Sequence, residues 1–329
     1  MPKLIAECSL SGIHSRSESL VKTSRDYDRG RAEQNALNAA LSSDALDLIR
    51  LQVDSGFSNF SDGQLRWQDF IRPFSESVNG LESGADLSRW FDTNTFYKKP
   101  TVRKKLDTDG TFLQKKGYSL GADKNVNKVS LPGPYTLSRL VDDQFYNSTE
   151  ELVHAFASVL KQVISSLISA GYHSIQLNEP SLVFRYGKSA LTEPHDLQVF
   201  IDAFSNNLSS ANADLTLHTY FGDCSSILEK LLALEGISTV GIDFTQTPLE
   251  NLHCEFGDKA LGCGCVDARS SFIESPEWIR DFGVRASAKL NCSKLTILPS
   301  SDLKYLPRAY ADQKITTIGA AARLLGSGI

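Results

Sequence analysis

From about residue 120 onwards the chain alternates between two rhythms. Short apolar runs rich in β-branched residues give way to longer stretches whose apolar positions recur at helical spacing. The clearest helix is predicted over residues 149–170, where Leu152, Val153, Phe156, Val159, Leu160, Val163, Ile164, Leu167 and Ile168 share a face. Ser148 or Thr149 caps it, Glu150 and Glu151 complement its dipole, and Gly171 stops it. A strand follows at 174–178. Helices at 194–209, 225–234, 249–256 and 276–290 then precede strands at 214–220, 239–243, 259–266 and 294–298, and a last helix covers 309–325. Such alternation builds parallel βαβ units.

The earlier part is less regular. A strand at 4–13, a helix at 31–55 and a segment at 60–65 supply the first units. Residues 79–127 mix Gly, Asp, Lys and aromatic residues without a clean period, and read as an insertion over one barrel mouth. No low-complexity linker divides the chain. The predicted fold is α/β, a single TIM-type (β/α)8 barrel over residues 1–329. An open doubly wound sheet is the alternative, but no G-x-G-x-x-G turn opens a helix after a strand, which weighs against a dinucleotide fold.

Composition narrows the partners. With 329 residues, 41% hydrophobic and 22% charged, the chain can bury a large core without staples. A formal charge of −5 argues against a nucleic-acid partner. The N-terminal residues are too polar for a signal peptide, and no stretch approaches the roughly 20 apolar residues that span a bilayer. No membrane partner is expected, and the six cysteines read as reduced thiols in the cytoplasm.

In a barrel of this kind chemistry sits at the C-terminal strand ends, where the loops converge. Here those ends are polar, several of them acidic: Asn178 and Glu179, His218 and Tyr220, Asp243, Asp267, and Ser300, Ser301 and Asp302. Ser61-Asp62-Gly63-Gln64 lies earlier. Any one of these residues can simply cap a helix or turn the chain. So many at one rim point to a shared pocket, with Asp62, Asn178, Glu179, His218, Asp243 and Asp267 as its candidates.

The same segments carry a family resemblance. Gln176-Leu177-Asn178-Glu179-Pro180 resembles the DEPA strand of cobalamin-independent methionine synthases, and Arg89-Trp90-Phe91-Asp92-Thr93-Asn94 resembles their WFDTN segment. Leu131–Thr136 is similar to their GP-x-T loop, Leu261–Arg269 to their G-x-G-V-x-D-x-R strand, and Leu298–Leu303 to their PSC-x-L strand. His218-Thr219-Tyr220-Phe221-Gly222-Asp223 resembles the TYFGD sequence of the family's zinc-free N-terminal barrel more than the H-x-C of its catalytic barrel. The resemblance implies methyl transfer to homocysteine sulfur, in which zinc lowers the thiol pKa.

Carried over residue by residue, the resemblance puts the family's zinc-binding His on His218, its Cys ligands on Tyr220 and Ser301, and its Glu on Asp243; the homocysteine-binding Asp falls on Asn178. A phenol and a hydroxyl stay protonated near neutral pH and are poor zinc ligands. No zinc and no tightly bound cofactor are therefore expected in this chain, and methyltetrahydrofolate is the ligand that the family implies. Arg16, Lys22, Arg89, Trp90, Asp92 and Asn94 are the candidate substrate-binding residues, the cations for a carboxylate tail and the aromatic for a pterin ring. Two readings of different class stand. One is a barrel that supports methyl transfer with a separate zinc-bearing catalytic barrel; the other is a non-catalytic binding or regulatory barrel. A self-sufficient methyltransferase with an altered metal site is a further alternative. Cys263 and Cys265, on one face of a strand, read as buried filling or as thiols able to share a metal.

Overall fold

The computed structural model describes residues 4–118, 126–184 and 193–326. Seven strands form one parallel sheet: β1 (Ile5–Cys8), β2 (Lys128–Pro132), β3 (Ser174–Asn178), β4 (Asp214–Thr219), β5 (Ile237–Asp243), β6 (Ala260–Val266) and β7 (Lys294–Pro299). Their order is β1-β7-β6-β5-β4-β3-β2. Helices α1 (Glu18–Asp28), α2 (Gln34–Ser55), α3 (Thr149–Ser169), α4 (Pro194–Asn207), α5 (Leu228–Leu232), α6 (Pro276–Lys289) and α7 (Arg308–Gly326) are the main helical elements.

In β3, Ile175 and Leu177 alternate with Ser174, Gln176 and Asn178, yet all five residues are buried. Both faces of the strand are therefore covered, as a parallel sheet requires. The sheet curls strongly. Ser11, just beyond β1, hydrogen-bonds His218 on β4 at 3.0 Å, although these strands are not neighbours. One face thus encloses a lumen, and the other carries the helices. Helix α3 packs its buried Phe156, Leu160 and Val163 in the core and lies against α4.

That helix corrects one expectation. By length and composition α3 is apolar enough to cross a bilayer. The test does not separate a spanning helix from a core helix, and half of this one is buried against the rest of the protein.

Segment 60–65 is not a regular strand. Phe60 makes one parallel bridge to Val126, and its carbonyl accepts from Asn127 N and Lys128 N, both at 3.1 Å. Gly63 and Gln64 then take positive φ, 69° and 49°, which breaks the extended path. The Gln64 side chain replaces the missing strand. Its amide donates to Ser130 O and accepts from Ser130 N, each at 2.9 Å.

Other boundaries move for local reasons. The strand predicted at 4–13 ends at Cys8, and Gly12 turns away at φ 65°. Helix α1 was not expected, because its sequence is mostly polar and buries only Leu20; Ser17 caps it. The helix predicted at 249–256 is a three-residue turn, Leu249–Asn251, after Pro248. Within 79–127 short strands appear: Leu87–Arg89 pairs with Phe96–Lys98, and Asn79–Glu82 with Thr101–Asp107. Residues 119–125 of that stretch lie outside the described residues.

Candidate functional site

A polar chain runs along the lumen between two ends of the sheet. Lys128, at the start of β2, donates to Ser9 Oγ and to Gln176 Oε1, the latter at 3.0 Å. An ammonium only donates, so Gln176 must turn its oxygen to Lys128 and its amide nitrogen the other way. That nitrogen donates to Ser11 Oγ at 2.9 Å and Asn178 Oδ1 at 2.8 Å, and lies 3.3 Å from His218 Nδ1. With the Ser11 hydroxyl and the Gln176 amide both turned toward it, His218 Nδ1 is assigned the acceptor role. Burial, with a smaller contribution from the Lys128 charge, pushes the His218 pKa down to about 3, so the ring is neutral. With Nδ1 an acceptor, the ring proton sits on Nε2.

The chain of donors ends at the C-terminal rim. His218 Nε2, Asn178 Nδ2, Tyr220 OH and Ser301 Oγ are buried and have no hydrogen-bond partner among the described residues. Asn178 and His218 are register partners on adjacent strands, and the His218 and Tyr220 ring centroids lie 5.2 Å apart. Burial raises the Tyr220 phenol well above its usual pKa, helped by Asp302, Glu179 and Asp243. All four groups therefore carry protons to donate. A buried polar group without a partner costs roughly 1–3 kcal/mol, which an acceptor placed there would offset.

The rim carboxylates are occupied. Asp243 accepts from Phe221 N at 3.0 Å through one oxygen, and from Thr245 N and Oγ1 at 2.9 and 2.6 Å through the other. Glu179 accepts from Tyr135 N at 2.9 Å, Thr136 N at 2.7 Å and Thr136 Oγ1 at 2.6 Å, holding the turn that opens the helix Pro134–Arg139. A Cβ at Gly133 would come within 2.2 Å of the Glu179 carboxylate, so only glycine admits this contact. Asp302 accepts from Ile13 N at 2.8 Å and Tyr305 OH at 3.1 Å, tying β7 to the chain after β1. Asp62 Oδ1 accepts from Gln64 N at 2.8 Å, and Asp267 Oδ1 from Arg269 N, also at 2.8 Å. Among the described residues no three His, Cys, Asp or Glu side chains gather as a metal-binding group. Cys263 and Cys265 are buried, and burial raises the Cys263 thiol well above its usual pKa.

Aromatic residues cover this rim. Phe91 packs on Phe184 at 5.0 Å and on Phe221 at 5.7 Å, while Trp90 packs edge-on to Phe91 at 5.1 Å. Both Phe91 (φ 52°) and Phe221 (φ 69°) sit in the left-handed region, a strained setting for a bulky side chain. The Asp243 bond to Phe221 N holds one of them. Arg269 lies over the Phe221 ring at 5.1 Å and pairs with Asp92 at 2.8 Å, fastening the segment around Trp90 to the β6 end.

The remaining candidates are dispersed. Arg89 bonds Asn94 at 3.2 Å on the exposed hairpin, and Arg16 donates to the carbonyls of Leu65 and Trp67 at 2.9 and 3.4 Å. Lys22 is exposed on α1. Sequence reasoning missed Lys128 and Lys304. Lys304 Nζ lies 5.3 Å from the Trp90 centroid, 5.5 Å from Tyr305 and 5.9 Å from Phe70, and burial lowers its pKa while Asp302 and Asp69 raise it. The one signal for Lys128 is its place two residues before Ser130 in an apolar strand, on the face that points inward.

A curled parallel α/β sheet with polar groups collected at its C-terminal rim defines an α/β protein related to the barrels, a class whose ligand sites lie at the strand ends. The model of the cobalamin-independent synthase N-terminal domain matches residues 80–278, and the chain belongs to that family. It is 24% identical over 316 residues to the methionine synthase of Sulfolobus acidocaldarius, covering 94% of this chain and 89% of that one. The methionine synthase of Saccharolobus islandicus is 25% identical, with 93% and 91% covered. Among solved structures, the B12-independent methionine synthase of Shewanella sp. W3-18-1 in complex with selenomethionine superposes with a TM-score of 0.70 at 18% identity, covering 99% of this chain and 98% of that one. A methyltransferase from Methanosarcina mazei gives a TM-score of 0.62 at 13% identity over 96% and 93%. These two structures share the fold.

Proposed function

We propose that the chain is a methionine-synthase barrel that binds an acceptor-rich ligand of the methyl-transfer reaction, a methylfolate or the homocysteine-type amino acid. It supports methyl transfer together with a separate zinc-bearing catalytic barrel in the cytoplasm. The relatives named methionine synthase support the pathway. The observation that carries the ligand class is the set of four protonated, unpartnered groups at the rim. Carboxylate and carbonyl oxygens are the natural complement of such donors. In this reading the segment around Phe60 stands in the eighth position of a closed (β/α)8 barrel, with 79–127 inserted over its mouth.

Zinc does not fit these residues. Loading it on His218 Nε2 requires the ring proton to sit on Nδ1, 3.3 Å from the Gln176 amide nitrogen, which can only donate, and requires the Ser11 hydroxyl to turn and accept. Both Asp243 oxygens are engaged by Phe221 and Thr245. Tyr220 and Ser301 would have to give up protons that burial holds in place. The chain's own residues instead bind and orient, and the aromatic cover excludes water.

The test is twofold. Calorimetry with methyltetrahydrofolate and with homocysteine asks whether either binds the purified chain. An activity assay with and without a zinc-bearing homologue asks whether turnover needs the pair. Binding of neither ligand, or turnover by the lone chain, would sink the proposal.

A further inference from the structure

The opposite end of the lumen holds a cavity of about 500 Å³, lined by Lys128, Ser9, Glu7, Asp214, Lys259 and Lys294 among others. These residues come from the N-terminal ends of the strands, so the cavity opens on the face away from the rim donors. Most of its charges are answered locally. Lys259 Nζ donates to the carbonyls of Leu234 and Ile237 at 2.8 and 2.7 Å, Lys294 Nζ to that of Asp258 at 3.4 Å, and Asp214 accepts from the Ser238 hydroxyl.

Lys128 differs in its burial. It is 3% exposed, so water cannot solvate its charge as it does at Lys259 and Lys294, and its two acceptors are the neutral oxygens of Ser9 and Gln176. Among the described residues no carboxylate comes within ion-pair distance of it. A buried ammonium without a counter-charge is costly, and a third N–H remains beside a cavity with room for more than a water molecule. We propose that this N-terminal mouth is a small-anion site, for a carboxylate group or an inorganic monoanion, in which the ion sits against the Lys128 ammonium. The site is independent of the rim reading above. By keeping Lys128 charged, the anion also holds Gln176, and through it His218, in the orientation described.

The charge on Lys128 dictates the test. Burial lowers its pKa to about 7, with Asp214 opposing; Glu7, Asp258, Lys259 and Lys294 are the other charges facing the cavity, and His218 lies beyond Gln176. The full chain, labelled with 13C-lysine, is titrated with sodium acetate and with sodium chloride while the Lys128 signal is followed. Saturable binding of either is expected at pH 6, with the Lys128 pKa rising as anion is added. Affinity should fall about a hundredfold by pH 9, roughly tenfold per unit above the lysine pKa. Lys128→Met should abolish the saturable component; if that variant does not fold, the pH comparison on the natural chain decides alone. Acetate saturating where chloride does not assigns the site to carboxylates, and the reverse to inorganic ions. Binding as tight at pH 9 as at pH 6, or no saturation by either ion, overturns the proposal.

Discussion

Lys128 donates to Gln176 Oε1 across 3.0 Å, and this contact near one end of the lumen turns the Gln176 amide nitrogen toward Ser11, Asn178 and His218 at the other. Gln176 transmits the constraint because an amide has one accepting and one donating end. A charged group on one face of the barrel thereby sets what the opposite face offers a ligand.

The first expectation concerns His218. Nitrogen NMR of the ring should show a protonated Nε2 and an unprotonated Nδ1 at pH 6–7. Since burial holds the ring's pKa at about 3, the signals should not titrate near the usual histidine value. A ring that charges between pH 6 and 7 would remove the basis for the donor set.

Stability should carry the mark of Lys128. Its folded pKa is about 7, against an ordinary value of 10.5, so between those limits the unfolded chain binds more protons. Stability from this group therefore rises with pH from 7 towards 10.5, and its penalty is complete below 7. Denaturant unfolding of Lys128→Met should lack that rise relative to the natural chain; parallel curves would contradict it.

Metal content offers a gain-of-function check. The natural chain should purify with well under one zinc per chain. Tyr220→Cys combined with Ser301→Cys and Asp243→Glu supplies thiolates and a longer carboxylate, and zinc occupancy measured by elemental analysis should increase. Stoichiometric zinc in the natural chain is the adverse result.

The aromatic cover should separate stability from access. Phe91→Ala removes a buried ring and should cost roughly 3–5 kcal/mol. It should also speed ligand association in stopped-flow measurements. Arg269→Ala breaks an ion pair with Asp92 whose side chains are 34% and 52% exposed, so its stability cost should stay within roughly 1 kcal/mol. An association rate unchanged in Phe91→Ala would mean that the ring does not control entry.

Much of the fold was legible because periodicity reports burial directly. The apolar face of α3 and the alternation from 174 onwards translate into helix and strand with boundaries displaced by only a few residues, except at 249–256, where a three-residue turn replaces the expected helix. Segment 60–65 was not legible in the same way. Its apolar start is followed by local side-chain turns, Ser61 Oγ to Gly63 N at 3.0 Å and Asp62 to Gln64, that outcompete strand pairing. At the rim the polar residues were visible as a set, but whether each faces a ligand or the backbone was not. Glu179 and Asp243 look like acids in the sequence and turn out to brace neighbouring loops.

The sequence by itself determined the parallel α/β architecture and the family, because these depend on residue identity and spacing along the chain. Only the tertiary structure decided which groups remain unpartnered, that Lys128 at the start of β2 is linked through Gln176 to His218 on β4, and that the segment around Trp90 covers the rim. Those outcomes arise from contacts between elements far apart in sequence, where hydrogen-bond direction and desolvation act together, and no local pattern encodes them.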